Sequence, residues 1–276
     1  MPNTPSPAGP QKLSPTARRD RVVELARSGG FTTTRELATR LKVSEMTVRR
    51  DVAVLAAAGR IRSVFGGAAT AGDELAGGTD FQERARSNTA AKVMIGHAAA
   101  SLIARDSLVA LDNGTTTIEL ARSIDTSMPL GVVTPSLPVL SVLNDRPAIE
   151  LTVLGGVLQP DLQAFAGPLT LACIEQLHVN QFFLSASAVG SGAVFCANQY
   201  DAMTKRALID AADEVVLVVD SSKFARTASM MKVASLERVD RLVTDSDLSE
   251  DARQQLADAG VKVVEISIPA TTGEDR

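Results

Sequence analysis

From residue 108 to residue 266, seven short apolar runs alternate with stretches of helical periodicity, and no other feature of the chain restricts its fold as much. The runs lie at 108–111, 130–134, 149–154, 182–186, 215–220, 241–244 and 261–266. Strands separated by helices must be joined by crossovers, so the pattern predicts an α/β domain, Rossmann-like, with a largely parallel sheet buried on both faces. Aromatics are scarce, with eight Phe, one Tyr and no Trp among 276 residues, so the core has to be built from Ala, Val, Leu and Ile. That scarcity also argues against surfaces that stack sugars or unpaired bases on aromatic rings.

The first 70 residues follow another pattern. Residues 1–12 are rich in Pro, Ser, Thr and Gly and predict a disordered tail. Ser14 followed by Pro15 reads as a helix start, with Val22, Val23, Leu25 and Ala26 as an apolar face and Gly29-Gly30 as the stop. Thr33 and Glu36 resemble a capping box opening a second helix, whose Leu37 and Leu41 lie on one face. After Lys42-Val43, Ser44 is placed to cap a third helix with Val48, Val52 and Leu55 facing inward, and Gly59 to end it. Residues 60–67 alternate basic and apolar side chains before a glycine pair, which predicts a small β-wing. Residues 13–70 therefore read as a winged helix-turn-helix domain that meets duplex DNA.

Charge supports that division. The formal net charge is −4, but residues 11–70 hold 12 Lys or Arg against 5 Asp or Glu, a net of +7, and the rest holds 16 against 27, a net of −11. A basic head on an acidic body is the pattern expected when one domain approaches nucleic acid. Ser44, Thr47 and the amides at the start of the third helix suit phosphate oxygens, while Arg49 and Arg50 suit base edges or phosphate, joined by Arg60 and Arg62 of the wing. The competing reading is a solvated face in which Asp51 pairs with Arg49 or Arg50. Small residues and glycines make 71–83 the expected linker, followed by a long helix at 84–103 presenting Val93, Ala100 and Ile103. The second domain is expected over 84–268, with a C-terminal tail at 269–276.

In that domain Asp112-Asn113-Gly114-Thr115-Thr116-Thr117 falls where a strand ends and a helix begins, a turn that offers amides and hydroxyls to phosphate. Thr134, Gly155, Gly156, Asp220 and Lys223 also fall just after expected strands, at the edge where α/β sheets bind ligands. Lys223 suits phosphate or an anomeric oxygen, and Asp112 and Asp220 suit sugar hydroxyls or an ion pair with Lys205. Taken singly, each of these is ordinary turn chemistry. His97, His178, Cys173 and Cys196 are spaced for neither zinc nor disulfides; the histidines read as packing or surface residues and the cysteines as buried small apolar ones. No metal or cofactor is expected. No run approaches the roughly 18 apolar residues of a membrane span, and the start lacks a secretory pattern, so a cytoplasmic chain without a membrane partner is expected.

The run Ser44-Glu45-Met46-Thr47-Val48-Arg49-Arg50-Asp51, with Gly59 and Gly66-Gly67-Ala68 after it, resembles the signature of the DeoR-type bacterial transcription regulators. The likeness continues through Lys92, the run from Leu111 through Thr117, Gly155-Gly156 and the run from Val219 through Phe224. The resemblance implies a sensor domain with the fold of ribose-phosphate isomerase and glucosamine-phosphate deaminase, turned from catalysis to sensing a phosphorylated sugar or related metabolite. It implies that Gly114, Thr115 and Thr116 hold phosphate and that Asp112, Lys205, Asp220 and Lys223 line the pocket. It also implies repression relieved by ligand. The chain departs from the family pattern at Phe65, Pro135 and Ala188-Val189-Gly190. A homo-oligomer, dimer or larger, is expected because helix-turn-helix proteins usually bind paired half-sites. The alternative is a sugar-phosphate isomerase or deaminase with a fused DNA-binding head, for which an acid and a base must be supplied without a suitable histidine. An RNA-binding or purely structural chain fits the winged motif less well.

Overall fold

The computed structural model describes residues 14–29, 31–57, 60–64, 67–70, 81–225 and 231–267. The chain divides into two compact units, Met1–Ala76 and Gly77–Arg276, a boundary within the expected linker. The expected tails at 1–12 and 269–276, linker residues 71–80, and Gly30, Gly59, Phe65 and Gly66 lie outside the described residues.

In the first unit, α1 (Pro15–Gly29), β1 (Phe31–Thr33), α2 (Thr34–Leu41) and α3 (Glu45–Ala57) precede a hairpin of β2 (Ile61–Val64) and β3 (Gly67–Thr70). Both expected serine caps form: Ser14 Oγ accepts from the Ala17 amide at 3.2 Å and Ser44 Oγ from the Thr47 amide at 3.3 Å. Val22, Val23 and Leu25 of α1, Leu37 and Leu41 of α2, and Val48, Val52 and Leu55 of α3 close on one core with Ile61. The hairpin pairs antiparallel from Ile61↔Thr70 to Val64↔Gly67, which is the expected wing. β1 joins the other edge of β3, giving the order β1-β3-β2. This strand escaped the sequence reading because three residues carry no alternation; its partner strand alone defines it.

The second unit runs α4 (Phe81–Arg86), α5 (Thr89–Ala100), β4 (Leu108–Leu111), α6 (Thr115–Ser123), β5 (Leu130–Thr134), α7 (Leu137–Leu143) and β6 (Ile149–Val153). It continues with β7 (Val157–Gln159), β8 (Ala164–Ala166), α8 (Pro168–Ile174), β9 (Val179–Leu184), β10 (Ala188–Gly190), β11 (Ala193–Cys196) and α9 (Gln199–Asp210). β12 (Ala212–Val218), β13 (Met231–Ser235), β14 (Arg241–Asp245), α10 (Glu250–Asp258) and β15 (Lys262–Ile266) complete it. All seven expected runs enter one sheet, ordered β15-β14-β12-β9-β4-β5-β6 and parallel throughout. β9 and β12 start three residues before the apolar runs at 182 and 215, because ladder partners set the ends: Ala212 pairs with Val179 and Glu214 with Gln181. Alternate residues feed two cores. Ala110, Phe182, Leu184, Val215 and Leu217 pack on one face, and Val109, Leu111, Phe183, Val216 and Val218 on the other.

The single helix expected at 84–103 is two. α4 and α5 are broken at Ser87-Asn88, where Asn88 adopts the left-handed region at φ 48°. Residues 81–83, read as linker, belong to α4, and Phe81 packs into the core. Val93 is exposed, and Ala91, Ile95 and Ala99 form the inward face of α5 instead. The break is held by Lys92, whose buried ammonium donates to the carbonyls of Arg84 and Ser87 at the end of α4. Two small antiparallel sheets, β7-β8 and β10-β11-β13, were not anticipated from sequence.

Candidate functional site

On α3 the inward phase of Val48, Val52 and Leu55 leaves Met46, Arg49, Arg50, Ala53 and Val54 exposed. Neither arginine makes an ion pair among the described residues. Asp51, which the competing reading paired with one of them, is buried against α1, where it accepts from Arg18 Nε at 2.5 Å and Arg19 Nε at 3.0 Å. Burial raises the Asp51 pKa, but the hydrogen bonds and charges of Arg18 and Arg19 outweigh it and hold the carboxyl below its usual range. Ser44 is exposed and Thr47 half-buried, with their hydroxyls 2.9 Å apart. Arg60 pairs with Asp20 at 2.9 Å, both side chains about half exposed. Arg62 lies on β2, its side chain outside the described set.

In the second unit, β4 and β9 are neighbours from which the chain winds outward both ways, through β5 and β6 and through β12, β14 and β15. Loops diverge at such a switch point and leave a crevice at the carboxyl ends of the strands. Asp112 follows β4, Ser185 follows β9 and Asp220 follows β12. Three adjacent strands put these residues within roughly 10 Å, two inter-strand spacings.

Lys205 reaches this edge from α9. Its Nζ donates to Asp112 Oδ2, to Asn113 Oδ1 at 3.3 Å and to Ser185 Oγ at 3.3 Å, and lies 3.4 Å from Asp201 Oδ1. The Ser185 amide and hydroxyl also donate to Asp112 Oδ2, at 2.8 and 2.6 Å. Asn113 Nδ2 donates to Asp201 Oδ1 at 3.1 Å. Lys205 is only 1% exposed, and burial opposes its charge; Asp112 and Asp201 outweigh that and raise its pKa. Burial pushes the Asp201 carboxyl up, offset in part by Lys205. The neighbouring Cys196 thiol is pushed up to about 12 by burial and by Asp201, which leaves it inert as a nucleophile.

Gly114 caps α6, and a Cβ there would lie 2.2 Å from Ser185 Cβ, so only glycine fits between β9 and this turn. Thr117 Oγ1 donates to the carbonyls of Asp112 and Gly114, 2.7 Å from each. Thr115 and Thr116 keep their hydroxyls unbonded among the described residues at a helix start that no side chain caps. Thr115 also lines a cleft of about 650 Å³ between α4–α5 and α7.

Asp220 is the second centre. Its Oδ1 accepts from Asn88 Nδ2 at 2.8 Å and from the Ser222 hydroxyl, while Lys223 Nζ lies 3.8 Å from Oδ2. Burial raises the Asp220 pKa, but Lys223, Ser222, Asn88 and Lys92 outweigh it and bring the carboxyl below its usual range. Asp245 holds the turn by accepting from the Ser221 amide at 2.9 Å.

The sequence-selected residues thus form two groups, Asp112 with Lys205 beside Gly114-Thr115-Thr116, and Asp220 with Lys223. Thr134 is committed elsewhere, donating to the Leu111 carbonyl at 2.7 Å and accepting from the Ser136 amide at 3.1 Å. Gly155 and Gly156 brace the turn after β6: the Gly155 carbonyl accepts from Thr170 Oγ1 at 2.7 Å, and Gly156 has φ 147° with no room for a Cβ. Asn88, Ser185, Asp201, Ser222 and Asp245 were missed. Asp201 was detectable as the i,i+4 partner of Lys205; Ser185 and Asn88 meet their partners only through the fold. Cys196 is buried as expected, but Cys173 is exposed, standing on the outward side of α8. His97 and His178 are exposed, the latter 2.9 Å from Asp213. Among the described residues no cluster of three His, Cys, Asp or Glu could hold a metal ion, and no helix is long and apolar enough to cross a membrane.

Residues 18–73 match the DeoR-like helix-turn-helix domain and residues 87–246 the DeoR C terminal sensor domain. The chain is 30% identical over 252 residues to the glycerol-3-phosphate regulon repressor of Escherichia coli, covering 91% of this chain and 99% of that one. It is 31% identical over 257 residues to the HTH-type transcriptional regulator GlpR of Haloferax volcanii, covering 92% and 98%. The L-fucose operon activator of Haemophilus influenzae is 29% identical over 238 residues, covering 86% and 94%. Ribose 5-phosphate isomerase A of Methanocaldococcus jannaschii aligns with 50% of this chain and 55% of its own at a TM-score of 0.37 and 17% identity, a likeness too partial to extend the family match. A DeoR-like helix-turn-helix domain followed by a DeoR C-terminal sensor domain, with relatives 30–31% identical over more than nine-tenths of the chain, makes this chain a member of the DeoR family of transcriptional regulators.

Proposed function

We propose that the chain represses genes of carbohydrate or related metabolism by binding operator DNA as a dimer or larger homo-oligomer, under the control of a phosphorylated sugar or polyol held at the switch-point edge. In this reading α3 enters the major groove with Arg49 and Arg50 on bases and phosphate, Ser44 and Thr47 hold phosphate, and Arg60 and Arg62 of the wing engage the flanking backbone. Arg60 exchanges Asp20 for phosphate on binding. The effector's phosphate lies on Gly114, Thr115 and Thr116 with Lys223 matching its charge, and its hydroxyls meet Asp112 and Asp220. Lys205 acts by fixing Asp112, and Thr134, Gly155 and Gly156 frame the edge.

One observation carries the effector reading. Asp112 Oδ1 and Asp220 Oδ2, just beyond the ends of the two strands that flank β9, are buried carboxylate oxygens with no hydrogen-bond partner among the described residues, the second facing Lys223 Nζ at 3.8 Å. Buried acceptors of this kind demand donors, and a polyol supplies several hydroxyls at suitable spacing. Thermal unfolding with glycerol 3-phosphate, with a series of aldose and ketose phosphates, and with inorganic phosphate tests it. A ligand at 100 times its Kd should add about 2.7 kcal/mol of stability. The phosphate ester that does so should also shift the gel-shift midpoint on an operator duplex, and stabilisation by none of them removes the assignment.

A further inference from the structure

The Asp220 turn and the start of the second unit are hydrogen-bonded through the Asn88 side chain. Asn88 sits at the break between α4 and α5 with φ 48°, a conformation that non-glycine residues rarely adopt and that Asn tolerates best. Its amide is not spent on capping; Nδ2 donates to Asp220 Oδ1 at 2.8 Å and lies 3.2 Å from Ser222 Oγ. Asp220 is 132 residues away in sequence, buried just past the end of a central strand, and its other oxygen makes no hydrogen bond among the described residues but faces Lys223 Nζ at 3.8 Å. On the helical side, Lys92 ties the end of α4 to α5, and the Ser87 and Thr89 hydroxyls donate to the carbonyls of Arg84 and Arg86. The break is thus closed by Lys92 and tied to the strand-end carboxylate through the Asn88 amide.

We propose that Asn88 is a positioning residue for signalling: its amide latches the α4–α5 break to Asp220, and a donor arriving on Asp220 Oδ2 alters that latch and so the set of α4. α4 is the first described element after residues 71–80 in the chain, so a change in its set moves the point from which the DNA-binding unit is tethered. The coupling requires only that the ligand bind the latched and unlatched arrangements with different affinity. The inference rests on the effector reading for the identity of the donor, but the latch itself is testable without ligand.

The test uses the full chain as wild type, Asn88→Gly and Ser222→Ala. Glycine keeps the left-handed turn and removes only the amide, so α4 and α5 still form. Amide hydrogen exchange is followed across residues 81–92, and affinity is measured for a duplex selected by the wild-type chain from a randomised pool. Asn88→Gly should speed exchange at the end of α4 at least tenfold while β4 and α6 are unchanged, and should move ligand-free DNA affinity at least fivefold. Ser222→Ala should move both in the same direction by less. Unchanged exchange overturns the latch, and faster exchange with unmoved DNA affinity reduces Asn88 to a turn residue and overturns it equally. If no phosphate ester binds the wild type while Asn88→Gly still moves both readings, the latch stands and the ligand class alone is wrong.

Discussion

Arg49 and Arg50 of the DNA-binding unit are exposed and make no ion pair among the described residues, whereas Lys205 of the sensor unit is almost wholly buried and touches Asp112, Asn113, Ser185 and Asp201. On the proposed function, the difference follows from what each must meet. A cation destined for a polyanionic duplex must stay hydrated and exchange its counterions on binding, so pairing it in the free protein would weaken the contact. A site for a small ligand needs its groups held in place beforehand, and burial does so at a desolvation cost that opposite charges must offset. Charge at Arg49 and Arg50 is therefore disposable for the fold of the first unit, whereas at Lys205 it is indispensable in the second.

The largest expected effect tests that contrast directly. Lys205→Ala leaves Asp112 and Asp201 buried without their cation and should destabilise the sensor unit by about 3–5 kcal/mol in urea unfolding. A cost below about 1 kcal/mol would erase the contrast between the units. Next is Gly114→Ala, whose Cβ must displace Ser185 and with it two donors to Asp112. A stability loss of about 1–3 kcal/mol is expected in the same assay, with the Lys205 network loosened although no charge has been removed.

Much of this arrangement was visible in the chain before its fold. Seven apolar runs became seven parallel strands, and Ser14 and Ser44 cap the helices they precede, because burial on both faces and capping leave local signatures. The break at Asn88 left none: Arg84 through Ile103 has helical periodicity, and the left-handed turn that interrupts it is held by Lys92 and by the Asn88 bond to Asp220, 132 residues on. Thr134 looked like a pocket residue because it ends a strand, yet its hydroxyl bridges β4 to the next turn. Strand ends mark the edge where ligands bind; which side chains there stay uncommitted is decided by partners remote in sequence.

Asp51 sharpens the comparison from the other side, as the one strongly buried carboxylate of the DNA-binding unit among the described residues. Its folded pKa is depressed by Arg18 and Arg19, so its contribution is fully present above the unfolded value near 3.9 and fades as pH falls through the folded one. Asp51→Asn should cost about 1–2 kcal/mol at neutral pH, discounted because Arg19 is about a third exposed. The loss should shrink below about pH 4, as followed by amide exchange in α1 and α3 of the full chain, because the unfolded chain's carboxyl takes up its proton from there downward and the folded one follows at lower pH. A pH-independent difference would mean that shape, not charge, holds α1 to α3.

The smallest effect on the fold belongs to the residues with the largest expected effect on DNA. Arg49→Ala and Arg50→Ala remove exposed side chains that have no ion-pair partner among the described residues, and each should leave stability within about 0.5 kcal/mol of wild type. Binding to the selected duplex should nevertheless weaken by about 1–3 kcal/mol where the arginine reads a base edge, with relaxed preference at that position. Where it neutralises phosphate, all sequences should weaken alike and the salt dependence should fall by about one counterion. Measuring each variant at several salt concentrations on selected and scrambled duplexes separates the two roles. If Arg49→Ala together with Arg50→Ala binds as tightly as wild type, α3 does not face the groove, and the solvent-facing charge of this unit has been assigned to the wrong surface.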